Sequence, residues 1–591
     1  MNNGDTVAGS CKKNINEGID IGEYGNRIGA APVSDVAVAT SGWTIAAQSG
    51  SREAVAKRAA LQALSALAPF EPVAVVRYAS QGRLLLIGKD EERIRRAVSD
   101  LGEPLAISLL WTGKSAAPDL AGVETIAAKV LTLDGYLGAF ALQFQTANGA
   151  GRAEFDLVMD FDQPAAFTMP QPPQGYFRVA DSQAFDSALA ALPNMVGEFE
   201  KPTFFAYKES ICAHSRSRKS GCNQCIDFCS TKAIRSDGDR VAVDPHLCMG
   251  CGACATVCPS GAMSYQYPRV ADRGAQLRSA FEAWRRQSTV APLILYYDGE
   301  AGRACLDQLA AQGGGLPAHV LPIEVWHIAS VGLDLMLGAI AYGACGVAVL
   351  ATDQIAPDYE VALRREMNLG DLLLNELELP GRHFLYVEQA VLDKVLPEAE
   401  HAATCKSPAK FHLGNDKRTT LEFAIEHFLS EATAVPVEIA LPVGSAYGRI
   451  EVDKSACTLC LACVGACPES ALMDGGEVPM LKFLERNCVQ CGLCESTCPE
   501  SAIRLQPRLL LTADRKQERI LNEAEPFNCI SCGKALGTRQ MIDNLLGKLA
   551  GHSMFQGEGQ LRRLQMCADC RVVDIMANPH EMSILTGRKM P

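Results

Sequence analysis

One spacing of cysteines occurs three times in this sequence and limits what the chain can fold around. Each copy reads Cys-x2-Cys-x2-Cys-x3-Cys-Pro, and the copies begin at Cys248, Cys457 and Cys488. Three thiolates at this spacing wrap one 4Fe-4S cluster, and the fourth points toward a neighbouring cluster. Zinc ribbons also use thiolates, but they need neither the third cysteine nor the Cys-Pro step, so the pattern indicates iron–sulfur clusters.

The same unit occurs a fourth time in a diverged form. After the fourth cysteine of each copy comes x-x-x-Ala and then an aliphatic residue or Met, as in Ala262-Met263 and Ala471-Leu472, and Ala233-Ile234 marks the extra copy. The four units form two tandem pairs, within residues 212–258 and 457–498. The sequence therefore predicts two modules that hold two clusters each.

The diverged copy lacks its first ligand. It has Cys222, Cys225 and Cys229, but Lys219 stands where the first cysteine belongs, and a serine replaces the usual proline. Cys212 is the candidate replacement, because closing a loop of so few residues costs little entropy. The alternative is a three-iron cluster, or a cluster with an open site that binds substrate.

Composition excludes several classes of protein. The 24 cysteines are clustered and no secretory signal is visible, which disfavours a secreted disulfide scaffold and predicts a reducing, cytoplasmic location. The net charge of −13 disfavours nucleic-acid binding.

Residues 331–351 form an apolar run as long as a spanning helix, but Asp334 and several glycines interrupt it. A buried helix followed by a buried strand is predicted there, with no integral membrane segment.

The order of helical and strand patterns predicts a multidomain α+β protein. The predicted units are a disordered N-terminus (1–30), an α+β domain (31–205), a first dicluster module (206–270), an α/β domain with a parallel sheet (271–440), a second dicluster module (441–510) and a metal-binding tail (511–591). In the α+β domain, a strand is predicted at 34–40 and a β-hairpin at 73–87. Strands and helices alternate between 293 and 387, which is typical of an open parallel sheet.

Two further Cys-x2-Cys pairs lie in the tail. Cys529, Cys532, Cys567 and Cys570 predict a structural four-cysteine site that binds zinc, with a further 4Fe-4S cluster as the alternative. His552 is a weaker candidate ligand. Single cysteines elsewhere are interpreted as small buried or incidental residues, and they are Cys11, Cys305, Cys345 and Cys405.

The paired modules resemble the dicluster 4Fe-4S ferredoxin family, over about 130 residues in the two modules where the repeats occur. In that family, the fourth cysteine of each repeat binds the cluster that the other repeat of the pair wraps. This resemblance implies the following ligand sets. In the second module these are Cys457, Cys460, Cys463 and Cys498, and Cys467, Cys488, Cys491 and Cys494. In the first module they are Cys229, Cys248, Cys251 and Cys254, and Cys212, Cys222, Cys225 and Cys258.

The whole chain also resembles long bacterial 4Fe-4S proteins encoded beside molybdenum formate dehydrogenases. The residues behind this resemblance are Pro172-Pro173-Gln174-Gly175-Tyr176-Phe177, Cys212-Ala213-His214-Ser215 and Pro526-Phe527-Asn528-Cys529. The resemblance implies an accessory or electron-transfer role near that enzyme.

The leading functional prediction is an electron relay through four 4Fe-4S clusters between protein redox partners. No Gly-x-Gly-x-x-Gly is present and no catalytic residue is predicted, so two-electron chemistry is expected on a partner. The alternatives are an electron-transfer subunit of a larger oxidoreductase with its own reductase chemistry, and a maturation factor for a molybdenum enzyme.

Overall fold

The computed structural model describes residues 50–577, apart from positions 170, 313–314, 354, 399–401, 477, 553–554 and 556–557. The predicted disordered segment 1–30, the predicted strand 34–40 and Cys11 lie outside the described residues. Among the helices that are described, none has both the length and the apolar character needed to cross a membrane.

The first region is built on a parallel sheet. Its elements are α1 (Arg52–Ser65), β1 (Val75–Ser80), β2 (Arg83–Gly88), α2 (Glu91–Asp100), β3 (Ala106–Trp111), β4 (Glu124–Ala127), β5 (Lys129–Asp134), β6 (Phe140–Thr146), β7 (Gly149–Phe155), β8 (Leu157–Asp160), β9 (Tyr176–Arg178), α3 (Ser182–Ala191) and β10 (Gly197–Pro202). Five strands pair in the order β4-β3-β2-β8-β9, all in parallel, while β5, β6 and β7 form an antiparallel sheet. The sequence predicted an α+β domain for this region but not its parallel sheet. Within that sheet, only β2 and β3 are connected by a helix, α2, so the region lacks the alternation of strands and helices that indicates parallel strands.

The predicted hairpin over 73–87 is wrong, although both of its strands exist. β1 pairs with β10, whereas β2 pairs with β3 and β8. β2 is buried at every residue after Arg83. A strand that is apolar on both faces needs cover on both sides, and a central position in a parallel sheet provides it.

Helix α1 packs away from the sheet that follows it. Its residues Ala56, Ala60 and Leu61 belong to the hydrophobic core of the central region. The buried Lys57 donates hydrogen bonds from Nζ to the carbonyl oxygens of Leu316 and Pro317, at 3.1 and 2.7 Å. The first helix therefore ties the start of the described chain to the central region.

The first cysteine-rich module is small and has little regular structure. Its elements are β11 (Phe205–Tyr207), β12 (Ser215–Arg216), β13 (Lys219–Ser220), α4 (Gln224–Asp227), β14 (Ile234–Asp237), β15 (Arg240–Val243), α5 (Ala253–Val257) and β16 (Met263–Tyr265). The strands pair as three two-stranded antiparallel sheets, β11 with β16, β12 with β13 and β14 with β15.

The central region has the alternating order that the sequence predicted. Its elements are α6 (Val270–Arg285), β17 (Leu293–Asp298), α7 (Ala301–Ala311), β18 (Val320–Val325), α8 (Leu333–Ala341), β19 (Gly346–Ala351), α9 (Pro357–Glu376), β20 (Phe384–Glu388), α10 (Leu392–Glu398) and α11 (Lys417–Glu431). The four strands are parallel in the order β18-β17-β19-β20. The parallel sheet predicted from the alternation of strands and helices is thus confirmed, and its strands β17 and β19 are buried along their whole length.

The second module and the tail complete the described chain. The module contains β21 (Glu438–Ala440), β22 (Gly448–Val452), α12 (Ala462–Ala466), β23 (Leu472–Gly475), β24 (Val478–Leu484), α13 (Leu493–Thr497) and β25 (Ile503–Leu510). The tail contains β26 (Glu518–Glu523), β27 (Pro526–Asn528), β28 (Ala535–Thr538), α14 (Arg539–Leu549), α15 (Glu558–Arg563) and α16 (Ala568–Ala577). β26 pairs with β24, so the tail is joined to the second module through a shared sheet.

Candidate functional site

The three regular cysteine repeats share one backbone conformation. The second cysteine of each repeat lies between two residues with positive φ: Gly250 and Gly252 (78° and 81°), Leu459 and Leu461 (54° and 60°), and Gln490 and Gly492 (53° and 80°). Left-handed residues turn the chain tightly, and glycine adopts them without steric cost. The short helices α5, α12 and α13 begin directly after these turns and carry the third cysteine. In each regular repeat, the loop thus curves around one position and directs its first three cysteines toward it.

The outer group of the second module lines one small cavity. Cys457, Cys460, Cys463 and Cys498 all border it. Burial, followed by the neighbouring thiols of the other three cysteines, raises the pKa of Cys463 to about 12. Cys460 is exposed, so this group reaches the protein surface.

The inner group of the second module combines cysteines from both of its repeats. Burial, together with the nearby thiols of Cys488, Cys491 and Cys467, raises the pKa of Cys494. Gln490 donates a hydrogen bond from Nε2 to Cys488 Sγ at 3.3 Å. Cys463 of the outer group is also close enough to raise the pKa of Cys494, so the two groups are adjacent.

The outer group of the first module is assembled in the same crossed manner. Burial raises the pKa of Cys254 well above its ordinary value, and the neighbouring thiols of Cys251, Cys248 and Cys229 add to the rise. The thiol of Cys225 contributes as well, which places the diverged copy beside this group.

In the diverged copy, a hairpin replaces the left-handed turn. β12 and β13 pair through a turn in which Ser217 and Arg218 have φ of 49° and 66°, and two left-handed residues are what a tight hairpin turn needs. The hairpin brings its two ends together, because Cys222 N donates to the Ala213 carbonyl oxygen at 2.8 Å. Cys212 thereby enters beside Cys222, while the side chain of Lys219 is exposed.

The inner group of the first module gathers around that hairpin. Burial, followed by the thiols of Cys258, Cys222 and Cys212, raises the pKa of Cys225. The Tyr207 hydroxyl forms a hydrogen bond with the Cys212 side chain. The structure therefore brings Cys212 to the position that the missing first cysteine leaves open.

The two modules, which are far apart in sequence, are in contact. Ala213, Ala466, Val489 and Leu493 form a small buried cluster against which Cys222 and Cys491 pack. Burial raises the pKa of Cys491 to about 12, and the nearby thiols of Cys488 and Cys467 add to this rise. The thiol of Cys222, which belongs to the other module, adds to it as well. The inner groups of the two modules are therefore neighbours, and each inner group is also adjacent to the outer group of its own module.

Gly221 marks the closest approach at this contact. A β-carbon at this position would lie 2.4 Å from the Ala213 carbonyl oxygen and 2.8 Å from the Leu493 side chain. No larger residue fits there without movement of one of the modules. The close approach of the inner groups thus depends on glycine at this position.

Several side chains around the cysteine groups carried no signal in the sequence. The Tyr359 hydroxyl, from α9, hydrogen-bonds to the Cys251 side chain and opposes the rise in its pKa. The hydroxyl of Ser230, which replaces the usual proline, hydrogen-bonds to the Tyr359 hydroxyl and lies 2.9 Å from Gln171 Oε1. Lys201 Nζ donates to the Cys248 carbonyl oxygen at 2.8 Å. Hydrogen bonds and charges near cluster sulfurs set reduction potentials.

The spacing of the sulfur atoms separates two kinds of site. Around one tetrahedral zinc ion, with Zn–S of about 2.3 Å, sulfurs lie about 3.8 Å apart. In the tail, the sulfurs of Cys529, Cys532, Cys567 and Cys570 all lie within 4.8 Å of one another. Within the described part of the chain, no three cysteines of the two modules meet that limit. The module cysteines are thus spaced more widely than one ion needs, which leaves room for a cluster.

The tail site is preformed in other respects. Cys532 Sγ and Cys567 Sγ are 3.7 Å apart. A hydrogen bond from Cys567 N to Cys529 Sγ, at 3.2 Å, is the main cause that lowers the pKa of Cys529 to about 6, so this residue is ready to bind metal as a thiolate. His552 is not a member of this close group, and its ring lies beside Phe555.

The remaining single cysteines differ in their surroundings. Cys305 and Cys345 are buried in the central core, as the sequence interpretation expected. Cys405 is half-buried and lies with His427 and Glu431, so the interpretation of it as an incidental residue missed these neighbours. His427 and Glu431 follow Cys405 by 22 and 26 residues, so the three residues form no short sequence motif that would reveal the group.

Comparisons with known proteins agree with the geometry of the modules. The family described as a 4Fe-4S dicluster domain matches residues 220–262, and the 4Fe-4S binding domain matches residues 450–473 and 482–504. An uncharacterized ferredoxin of Methanocaldococcus jannaschii is 33% identical over 54 residues, which are 87% of that protein and 9% of this chain.

Two further relatives are matched over shorter shares of their length. Ferredoxin 7Fe of Hydrogenibacillus schlegelii is 36% identical over 42 residues, 54% of that protein and 7% of this chain. The indolepyruvate oxidoreductase subunit IorA of Archaeoglobus fulgidus is 38% identical over 42 residues, 7% of either chain. This chain therefore spans about half of the first and a small part of the second.

Proposed function

The chain belongs to the 4Fe-4S ferredoxin-type proteins, which bind iron–sulfur clusters and transfer electrons, and on that premise we propose that it relays electrons through four 4Fe-4S clusters arranged in one row. The clusters at the two ends take Cys229, Cys248, Cys251 and Cys254 in the first module, and Cys457, Cys460, Cys463 and Cys498 in the second. The clusters in the middle take Cys212, Cys222, Cys225 and Cys258, and Cys467, Cys488, Cys491 and Cys494.

The packing of Cys222 and Cys491 against the same buried cluster, Ala213, Ala466, Val489 and Leu493, carries this proposal. Two separate ferredoxin modules can each exchange electrons only with whatever docks on them. When ligands of the two middle clusters are neighbours, an electron that enters one module has a short path to the other. The row then has two ends, and the end at Cys460 is exposed, so we assign the docking of one protein redox partner to it.

The surrounding protein supplies the tuning that a relay needs. Burial raises the pKa of most of the cluster cysteines for which a shift is seen, so these thiols hold their protons until iron displaces them. The hydroxyls of Tyr207 and Tyr359 then donate to cluster thiolates. Such hydrogen bonds stabilise the more negative, reduced cluster and raise its potential.

We assign zinc, rather than a fifth cluster, to the tail. Four sulfurs within 4.8 Å of one another match the edge of a single-ion tetrahedron and leave no room for the iron atoms of a cubane. The hydroxyl of Thr538 in the tail donates to the Thr458 carbonyl oxygen at 3.0 Å, next to Cys457. The zinc site thus holds the tail against the loop that carries Cys457 and leaves Cys460 exposed.

A second candidate function is that of an electron-transfer subunit in a larger oxidoreductase. The match to the IorA subunit favours it, since that relative is named as part of such an enzyme. The resemblance to proteins encoded beside molybdenum formate dehydrogenases makes that enzyme, or its maturation, the first partner to test. If the chain is purified in a complex with an enzyme that transfers electrons to it, the chain is a redox subunit of that enzyme. If the enzyme keeps its full activity after the chain is removed, the chain is a maturation factor.

The relay is tested by counting metal and titrating the clusters in one anaerobic sample. We expect about 16 iron atoms and one zinc from the tail per chain, with all clusters reversibly reducible at the low potentials of ferredoxins. An iron content near 8, or clusters that cannot be reduced by low-potential donors, contradicts the relay. Wild-type chain treated with a chelator serves as the metal-free control.

A further inference from the structure

A second compact group of metal-ligating side chains lies in the central region, away from the cysteine modules. Cys405 comes from the segment before α11, and His427 and Glu431 come from the last two turns of α11. Residues four apart on a helix lie on the same face, so the imidazole and the carboxylate both face the segment that carries the cysteine. The ligand atoms of all three residues lie within 4.8 Å of one another.

One atom of this group lacks the partner that its position calls for. His427 Nε2 is buried, and none of the residues that the structure describes forms a hydrogen bond with it. A buried polar nitrogen without a partner costs about 1–3 kcal/mol, and folded proteins rarely leave one. A metal ion bound to Nε2 removes that cost, because it takes the lone pair that no donor reaches.

The other two ligands are held in place by the surrounding backbone. Glu431 accepts hydrogen bonds from Lys406 N at 2.7 Å and from Ser407 N at 2.8 Å, which fix the orientation of its carboxylate. Outer hydrogen bonds like these two orient metal ligands in known sites. Cys405 Sγ lies 3.6 Å from the Ile340 carbonyl oxygen, to which the thiol donates until a metal displaces its proton. Glu431 is also the last residue of α11, and the C-terminus of a helix favours a bound cation.

We propose that Cys405, His427 and Glu431 bind a second zinc ion. A set of one sulfur, one nitrogen and one oxygen suits zinc, which takes all three ligand types at 2.0–2.3 Å, whereas hard cations such as Mg²⁺ avoid thiolates. Binding releases the thiol proton of Cys405 to solvent, and water completes the tetrahedron. The ion fastens the segment around Cys405 to the end of α11, the helix whose first two residues contact both cysteine modules.

The zinc content of full-length chains with intact clusters tests this site. After exposure to a small excess of Zn²⁺ and desalting, the wild type is expected to retain two zinc ions, one in the tail and one here. A chain with Cys405→Ser and His427→Ala should retain one, and a chain with Cys532→Ser and Cys567→Ser should also retain one. His412→Ala, an exposed histidine between Cys405 and α11, is the matched control and should retain two. Equal zinc in the wild type and the Cys405/His427 variant overturns the proposal.

A second measurement needs no substitution and so does not depend on the folding of a variant. The rate of alkylation of Cys405 is followed by mass spectrometry in the zinc-loaded and the chelator-treated wild type. Zinc should slow alkylation of Cys405 at least tenfold and leave Cys305, which lies outside the group, unchanged. Equal rates at Cys405 in the two samples overturn the site. Neither result bears on the cluster count, so failure of this site and failure of the relay are separate outcomes.

Discussion

Lys417 and Arg418, which are consecutive in sequence, hold loops of different cysteine modules. Lys417 Nζ lies 3.2 Å from the Cys258 carbonyl oxygen, and Arg418 Nη2 lies 3.4 Å from the Cys488 carbonyl oxygen. Arg418 also donates to the carbonyl oxygens of Ala446 and Arg486, both at 2.7 Å. The start of α11 thus places two positive charges at the junction between the modules.

Replacement of Arg418 should weaken that junction and lower the nearest reduction potential. A cation close to a cluster favours the reduced form, and its loss is worth on the order of 1 kcal/mol, or about 40 mV for one electron. Arg418→Met should shift the potential of the cluster at Cys488 downward by tens of millivolts, as measured by redox titration. Lys410→Met removes an exposed charge and is the control, which should not shift any cluster. Equal potentials in both variants contradict a role for Arg418.

Tyr359→Phe should lower the potential of the end cluster in the first module. The variant keeps the ring and removes only the hydroxyl that hydrogen-bonds to Cys251. A hydrogen bond to a charged group contributes about 1.5–3 kcal/mol, or about 60–130 mV for one electron. Because the oxidised cluster keeps part of this stabilisation, we expect a downward shift of several tens of millivolts in that cluster alone. Tyr386→Phe, whose ring lies against Arg364, is the matched control. A shift in the control of similar size points to a general change of the central region instead.

Cys212→Ala should lose a cluster signal that Lys219→Ala retains. The hairpin places Cys212 next to Cys222 and leaves Lys219 exposed, so the usual first position of the repeat is not near the group. We expect the Cys212 variant to lose at least one iron atom and one reduced 4Fe-4S signal. A Lys219→Cys change made in the Cys212→Ala chain should not restore it. Unchanged iron and signal in Cys212→Ala favour a three-iron or open-site cluster.

Gly221→Ala should separate the modules slightly, whereas Gly465→Ala should not. A β-carbon at Gly221 meets the Ala213 carbonyl oxygen and Leu493, but one at Gly465 meets no atom of the described residues within 4 Å. Overpacking typically costs about 1–3 kcal/mol. The expected result for Gly221→Ala is a lower midpoint of thermal unfolding and a weaker magnetic interaction between modules. Identical behaviour of the two variants shows that the contact tolerates expansion.

The sequence predicted the parts of this molecule that local patterns determine. The strand Val320–Val325 and the helix Ala301–Ala311 belong to the alternation of strands and helices that was predicted between 293 and 387. The family matches cover residues 220–262 and two segments between 450 and 504, inside the two predicted modules. The four-cysteine group of the tail was predicted from its two Cys-x2-Cys pairs alone.

Features that depend on distant parts of the chain were not predictable from the sequence. β1 looks like one half of a hairpin with β2, but its partner β10 lies more than a hundred residues away. The buried cluster that joins the modules, against which both Cys222 and Cys491 pack, combines residues from either side of the whole central region. Tyr359 and Lys417 are ordinary helix residues until the fold brings them to the modules. Long-range packing decides such contacts, and one sequence carries no periodic signal for it.

The central claim, that the clusters form one row across the module junction, is tested most directly by electron paramagnetic resonance of the fully reduced chain. The comparison is between the wild type and a Cys222→Ala chain, which should lose the proposed middle cluster of the first module. The wild type should show broad signals from magnetically coupled clusters, and loss of that cluster should sharpen and shift the signal of the middle cluster in the second module. If the signals of the second module are the same in both samples, the modules are not coupled and the row is contradicted.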